Sequence, residues 1–256
     1  MTRFPIAIQP YTVREALGRD YFGTLERIAA LGYAGIELGL PPEGISVEAQ
    51  QDKLDRLGLQ VIGAHASFNS FDVDFDRLFD YLHRAGGKYV TISLQFESRE
   101  DALRKAARLN EIGELCRANG LTFLYHNHDW EFQRYDGEYV LELLMRETDP
   151  RLVQLELDTF WVAKGGEEPA AYLSKWKGRC PLLHIKDMEA GEERFFAEIG
   201  EGTLDFVAIA RAAADAGTEW LVVEQDACRR DPFESLAISY RNLAAMDLIR
   251  QPASRG

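Results

Sequence analysis

The stretch Leu121-Thr-Phe-Leu-Tyr-His-Asn-His-Asp-Trp-Glu-Phe132 runs from an apolar segment straight into two histidines, an asparagine and two carboxylates. An apolar run of this length, entered from Asn119-Gly120, reads as a buried strand over Leu121–Asn127. Polar groups are costly to bury unless each finds a partner, so a cluster of them at a strand end points to a site. Three later apolar runs end in the same manner, at Asp158, His184 and Glu224. The fold question is therefore whether these four strand ends meet.

Working outward, short runs rich in Val, Ile and Leu alternate with amphipathic segments along the whole chain. The predicted strands are Phe4–Gln9, Gly35–Gly39, Gln60–His65, Tyr89–Leu94, Leu121–Asn127, Leu152–Asp158, Pro181–Lys186 and Trp220–Gln225. Helical spacing predicts Tyr21–Ala30, Ser46–Leu57, Asp74–Ala85, Glu100–Ala118, Tyr139–Glu147, Glu168–Trp176, Leu204–Ala216 and Phe233–Leu248. In the longest, Leu103, Ala107, Ile112 and Leu115 are expected on the inner side. Glycine follows most helices, as at Leu31-Gly, Leu57-Gly, Ala85-Gly-Gly and Ala216-Gly, where it supplies a left-handed cap and a tight return to the next strand. The unusual residues instead follow the strands. Eight βα units with plain αβ turns and elaborate βα loops predict a (β/α)8 TIM barrel, whose strand C-termini converge on one mouth. A doubly wound sheet would need a glycine-rich loop after its first strand, and Gln9-Pro-Tyr-Thr-Val-Arg14 is not one. One domain over residues 1–250 is expected, with 251–256 a frayed tail.

A formal net charge of −13 argues against nucleic-acid or anionic-membrane partners, which reward basic surfaces. No apolar run is long enough to cross a bilayer, and the first residues lack the apolar core of a signal peptide. The three cysteines, Cys116, Cys180 and Cys228, are widely spaced, which suits a reducing cytoplasm better than a disulfide framework.

Side chains alternate along a strand, so Leu182-Leu-His-Ile-Lys-Asp187 sets His184 and Lys186 on one face. Glu224 and Asp226 share a face on the last strand in the same way. Carboxylate, imidazole and carboxylate from three consecutive strands make a hard oxygen and nitrogen site, suited to Mn²⁺, Mg²⁺, Co²⁺ or Zn²⁺. Glu37 and His65 end the second and third strands and are candidate substrate contacts, as is Trp161; Lys186 is expected either to contact a substrate oxygen or to pair with a metal carboxylate. Trp130, Phe160 and Trp161 are candidate apolar faces for a sugar ring. Gly200-Glu-Gly202 is too weak a pattern to claim a phosphate site.

Gly35-Ile-Glu37, Tyr125-His-Asn-His-Asp-Trp-Glu-Phe132, Leu157-Asp-Thr-Phe-Trp-Val162, Leu183-His-Ile-Lys-Asp187, Ile199-Gly-Glu-Gly-Thr-Leu-Asp-Phe206 and Val222-Val-Glu-Gln-Asp226 together resemble the xylose-isomerase-like TIM barrels, specifically the sugar phosphate isomerase/epimerase group. The resemblance implies a divalent metal held by Glu, Asp, His and Glu from strands five to eight. Asp158, His184 and Glu224 match. Strand five departs, with His126 before Asn127 where many relatives have Glu before Asn. Either His126 takes the ligand place or Glu131 folds back to the ion. Three carboxylates would keep the usual charge, which favours Glu131. Trp161 stands where sugar epimerases often have histidine.

These readings lead to a metal-dependent isomerase or epimerase acting on a keto-sugar or related polyol through a metal-stabilised enediolate. The resemblance offers Glu224 as base, with His126 or His128 as its partner. The alternative is a lyase or dehydratase acting on an inosose or 3-keto-glycoside. An endonuclease-IV-like repair enzyme conflicts with the acidity, and a non-catalytic sugar-binding barrel is the remaining option. A homo-oligomer is common among the proteins it resembles.

Overall fold

A computed structural model describes residues 2–250 and shows a closed barrel of eight parallel strands. The strands, numbered β1–β8, are Ile6–Ile8, Gly35–Glu37, Gln60–Phe68, Tyr89–Ser93, Thr122–His126, Val153–Asp158, Leu182–Ile185 and Trp220–Val223. Closure is direct, because Ile6–Ile8 pairs with β8 on one side and β2 on the other. The single (β/α)8 barrel expected from the sequence is what forms; the expected tail at 251–256 lies outside the described residues.

The helices surround the barrel as α1 Arg14–Arg19, α2 Tyr21–Ala30, α3 Val47–Leu57, α4 Phe75–Ala85, α5 Arg99–Ala118, α6 Val140–Glu147, α7 Thr159–Lys164, α8 Pro169–Leu173, α9 Phe206–Ala216 and α10 Pro232–Ala245. Side-chain caps start many of them: Ser46 on Ala49, Asp74 on Arg77, Ser98 on Asp101 and Asp205 on Val207 and Ala208. Gly58, Gly86 and Gly217 end α3, α4 and α9 in the left-handed conformation. Two short helices, α1 and α7, sit in βα loops where none was predicted. On α5 the buried stripe is Ala102, Ala106, Leu109, Ile112 and Cys116; Leu115 is 40% exposed and Ala107 faces solvent, one position off the expected face.

Period-two alternation builds the barrel interior from the bottom upward. A lower layer of Ala7, Ile62, Tyr89, Leu124, Leu182 and Val222 packs together. Two residues further along most of these strands the interior turns polar: Leu124 gives way to His126, Leu182 to His184 and Val222 to Glu224. Gly35 belongs with the apolar layer, since a Cβ there would lie 2.7 Å from the Trp220 ring and 2.9 Å from Ile62. Glu37 follows it into the polar one. Strand β3 needs a correction of phase. Its register against β2 skips a residue between Val61 and Gly63, and that bulge returns His65 to the interior. Only glycine fits the bulge, because a Cβ on Gly63 would lie 2.6 Å from the Tyr89 carbonyl oxygen.

Candidate active site

At the mouth, the polar ends of β2, β3, β5, β6, β7 and β8 converge on His184, which is fully buried. Its Nε2 lies 2.5 Å from Glu156 Oε1 and 2.8 Å from Glu37 Oε2. His65 Nε2 approaches the same two carboxylates, at 3.1 Å from Glu156 Oε2 and 3.3 Å from Glu37 Oε2. The His126 ring sits 4.6 Å from the His184 ring, with its Nδ1 3.9 Å from Glu156 Oε2. On the other side of His184, Nδ1 is 3.1 Å from Glu224 Oε2 and 3.9 Å from Asp158 Oδ2. Lys186, two residues on, threads its ammonium between three carboxylates: 2.9 Å to Asp158, 2.6 Å to Glu224 and 2.7 Å to Asp226.

Two groups could therefore hold a metal ion among the described residues: His65, His126, Glu156 and His184, and Asp158, His184 and Glu224. Several atoms here are buried without a hydrogen bond, namely Glu37 Oε1, both Glu156 oxygens, His65 Nε2, His126 Nδ1 and Asp158 Oδ2. Buried polar atoms are ordinarily satisfied, so a set of orphans that are all hard N or O donors fits a divalent cation.

Burial and neighbours set the charge of each group. Burial opposes the charged form of His65, but Glu156 and Glu37 overwhelm it and raise its pKa to about 10. The same contest, with the same two carboxylates, raises His184 well above the usual range. His126 is depressed by burial and then by the charge of His184. Burial, with Lys186 next, lowers His128 to about 3. Burial would raise Glu224, but Lys186 and then His184 hold it below the usual carboxylate range. For Asp226 burial wins over Lys186 and lifts it to about 6.

The structure places Glu131 elsewhere. It is fully buried in a short turn after β5, where one carboxylate oxygen accepts from the Tyr125 hydroxyl and the other from the His128 backbone N–H at 2.8 Å. Both oxygens are committed to shaping that turn, and Glu131 belongs to neither ligand group; His126 stands in the strand-five position. Phe160, expected at a sugar face, is buried and stacks on Phe196 at 4.2 Å between ring centroids. Gly200 and Gly202 wrap a carboxylate of the chain itself. Asp187 accepts from the N–H groups of Gly200, Gly202 and Leu204 at 2.9–3.0 Å, and a Cβ on Gly202 would lie 2.3 Å from it.

The sequence reading missed Glu156. Its signal was available, since it stands two residues before Asp158 on one strand and so shares its face. Gln9 was missed as well; its side-chain amide donates to Glu37 Oε2 at 3.1 Å.

Above this floor opens a cavity of about 610 Å³, lined by His65, His126, His128, Lys186, Glu224 and Asp226 below and by Tyr11, Phe68, Trp130 and Trp161 towards the rim. His128 stacks on Trp130 with ring centroids 4.0 Å apart and 12° between planes. The Trp130 indole N–H is fixed on the Leu94 carbonyl at 2.8 Å. A smaller cavity of about 360 Å³ lies beside the mouth, between the loops after β1 and β8. Its arginines are already engaged, Arg27 over the Phe233 ring and Arg230 with Glu201.

A family model described as "Xylose isomerase-like TIM barrel" matches residues 25–243. The chain belongs to that family. An inosose dehydratase of Clostridium beijerinckii is 28% identical over 82% of this chain and 84% of its own. A sugar phosphate isomerase/epimerase from Parabacteroides distasonis superposes with a TM-score of 0.83, at 24% identity over 98% of this chain and 96% of that one. The IOLI protein, solved with a zinc atom, gives a TM-score of 0.70 at 17% identity over 98% and 100% of the two chains. These structural likenesses speak to the fold. The curated relatives are enzymes, and no helix of the described residues is long and apolar enough to cross a membrane.

Proposed function

We propose that this protein is a divalent-metal-dependent lyase that dehydrates a cyclic polyhydroxy ketone of the inosose class. One observation carries the reading: a single pocket holds neutral imidazoles beside a charged amine paired with a carboxyl group. His126 and His128 are kept unprotonated by burial, while Lys186 is charged and touches Asp226, whose pKa is lifted to about 6. Dehydration needs both kinds of group, a base for the proton beside the ketone and an acid for the departing hydroxyl. The relatives named inosose dehydratase support the substrate class.

His184 would hold the ion, with Glu156 and His65 or with Asp158 and Glu224. A bound divalent cation supplies Lewis acidity that polarises the ketone and makes the neighbouring C–H more acidic. His128, on the pocket wall, accepts that proton as the C–H bond breaks and the C=C bond forms. Lys186 or Asp226 gives a proton to the β-hydroxyl as its C–O bond breaks, and water leaves. Glu224, expected as the base, is held ionised by Lys186 and His184; its role here is to position Lys186. Gln9 and the rim aromatics Trp130 and Trp161 contact the polyol. Trp161 sits close to both groups, its ring 5.5 Å from His128 and 5.7 Å from the Lys186 ammonium.

Epimerisation or isomerisation of a ketose is the second reading. It begins with the same proton abstraction, and it is favoured by His65 reaching the pocket from β3 and His128 from the loop after β5, as proton return on the opposite face requires. Incubation with a 2-keto-inositol and Mn²⁺ in D₂O separates the two. An enone absorbance with loss of one water by mass spectrometry supports the lyase. Deuterium at carbon without loss of water selects the epimerase, and neither signal with any cyclic or open-chain ketose rejects both.

A further inference from the structure

We propose that Glu131 is a positioning residue: it fixes the backbone of the turn after β5 so that His128 meets the substrate C–H, while Trp130 fixes the plane of the His128 ring. The catalytic consequence rests on the reaction read above; the anchoring rests on geometry alone.

The His128 ring lacks the usual anchor. An imidazole that moves protons is ordinarily oriented by a hydrogen bond on its second ring nitrogen. His128 Nδ1 is buried and makes no hydrogen bond. The Trp130 indole lies against the ring instead, with 4.0 Å between centroids and 12° between planes. A stack sets the plane of an imidazole but lets it slide within that plane. Its position is therefore set by the backbone that carries it.

Glu131 holds that backbone. It lies three residues on, in the single 3₁₀ turn Trp130–Phe132, and is fully buried. Its Oε2 accepts from the His128 N–H at 2.8 Å, and its Oε1 accepts from the Tyr125 hydroxyl. Tyr125 is itself fully buried on β5, and its hydroxyl lies 3.1 Å from the Leu94 carbonyl. That carbonyl also accepts from the Trp130 indole N–H at 2.8 Å. His128 and the ring stacked on it are thus tied to one point just after β4, the first through Glu131 and Tyr125, the second directly. Asn127 secures the other side of the turn, its Oδ1 accepting from the Asp158 N–H at 2.9 Å.

Such a chain of contacts matters because reaction rate is sensitive to placement. A misplacement of about 1 Å in a reacting group can cost on the order of 100-fold in rate. Glu131 touches neither the pocket nor the reacting atoms, so it acts only through where it puts His128.

The test compares Glu131→Ala and Glu131→Gln in the full chain with Mn²⁺ and 2-keto-inositol carrying deuterium beside the ketone. The alanine variant is expected to lower kcat by about 100-fold and to enlarge the primary isotope effect on kcat, because proton transfer becomes slower than the other steps. The glutamine variant is expected within about 10-fold of wild type. Its amide oxygen still accepts from the His128 N–H, and its amide N–H can donate to the Tyr125 oxygen. Crystals of the alanine variant should show the His128 ring shifted off Trp130. Should that variant fail to fold, Glu131→Asp, which keeps the charge and shortens the reach, is read in the same way. A loss that merely follows the folded fraction, with an unchanged isotope effect, overturns the proposal. Equal impairment of the glutamine and alanine variants overturns it too, as does an unmoved His128–Trp130 stack. A wild type that removes no proton from any ketose rejects the reaction instead, and a displaced stack in the alanine variant then leaves the anchoring role standing.

Discussion

The two polar layers of the barrel differ in what neutralises their carboxylates. In the deeper layer Glu37 and Glu156 face imidazoles at 2.5–3.3 Å, and several of the atoms make no directed hydrogen bond. In the upper layer Asp158, Glu224 and Asp226 share the ammonium of Lys186. An ammonium is a fixed part of the chain, whereas imidazole donors can exchange their protons for a metal ion. The difference is a division along one axis, an imidazole-paired floor and an ammonium-paired layer above it, joined at His184, whose Nε2 faces Glu156 and Glu37 and whose Nδ1 faces Glu224.

Chelation is the strongest way to break that division. Stripping divalent ions should take turnover to background, with recovery on adding back Mn²⁺ or Zn²⁺, followed by the enone absorbance. Turnover that persists after exhaustive chelation, with metal content verified by elemental analysis, would reduce both groups of candidate ligands to buried ion-pair networks. Next in size is Lys186→Met. The substitution removes the proposed proton donor and should lower kcat by about 10²–10³-fold. It also removes the ammonium shared by three carboxylates, leaving His184 alone beside Glu224 and Asp158, so stability should fall by about 3–5 kcal/mol in urea denaturation of the metal-free protein. Unchanged stability would show that the upper carboxylates do not depend on the ammonium.

How much of this was legible in the chain follows from which rules act locally. The barrel was, because its signals are short-range: apolar runs such as Tyr89–Ser93, caps such as Ser46 and glycines such as Gly58 and Gly217 act within a few residues. Strand limits agreed to within a residue or two except in β3, which extends to Phe68. The mouth could be located too, since Asp158, His184 and Glu224 each end a strand. What could not be read was pairing across strands. The carboxylate pairing open to Lys186 is found, but nothing local announces that it spans Asp158, Glu224 and Asp226 at once, and the β3 bulge that turns His65 inward depends on a carbonyl of Tyr89. Glu131 misled for the same reason: a carboxylate near a strand end is free to cap its own turn, and this one takes the Tyr125 hydroxyl and the His128 N–H. Glu156 was overlooked although the period-two rule identifies it.

The upper layer can be sharpened through pH. His128 is held at about 3 by burial and then by Lys186, below the usual value near 6.5. The unfolded chain therefore takes up a proton below pH 6.5 that the folded protein refuses, and stability falls as pH drops from about 6.5 towards 3. After discounting for its partial exposure, the loss at pH 5 should be on the order of 1–2 kcal/mol. His128→Gln removes this contribution, so the difference between variant and wild type in urea midpoints at pH 7 and pH 5 measures it. Parallel curves for the two proteins would mean that His128 titrates normally, which would also strip it of the neutral state assigned to the base.

The smallest expected effect concerns the rim, which neither layer's charges control. Phe68 is 58% exposed, yet its ring contacts His128 and Trp130 at centroid distances of 5.6 and 5.9 Å. Burying so little of a large apolar ring contributes little to folding, so Phe68→Ala should shift stability by no more than about 0.5 kcal/mol. A ring contact with a bound ligand is worth about 0.5–1.5 kcal/mol, which predicts a KM raised roughly 2- to 10-fold with kcat nearly unchanged. Steady-state kinetics beside a thermal melt distinguish the outcomes. A raised KM with an unmoved melt places Phe68 over the substrate. A fall in kcat alone would instead tie the ring to His128 and make it a positioning residue for the proton-handling layer beneath.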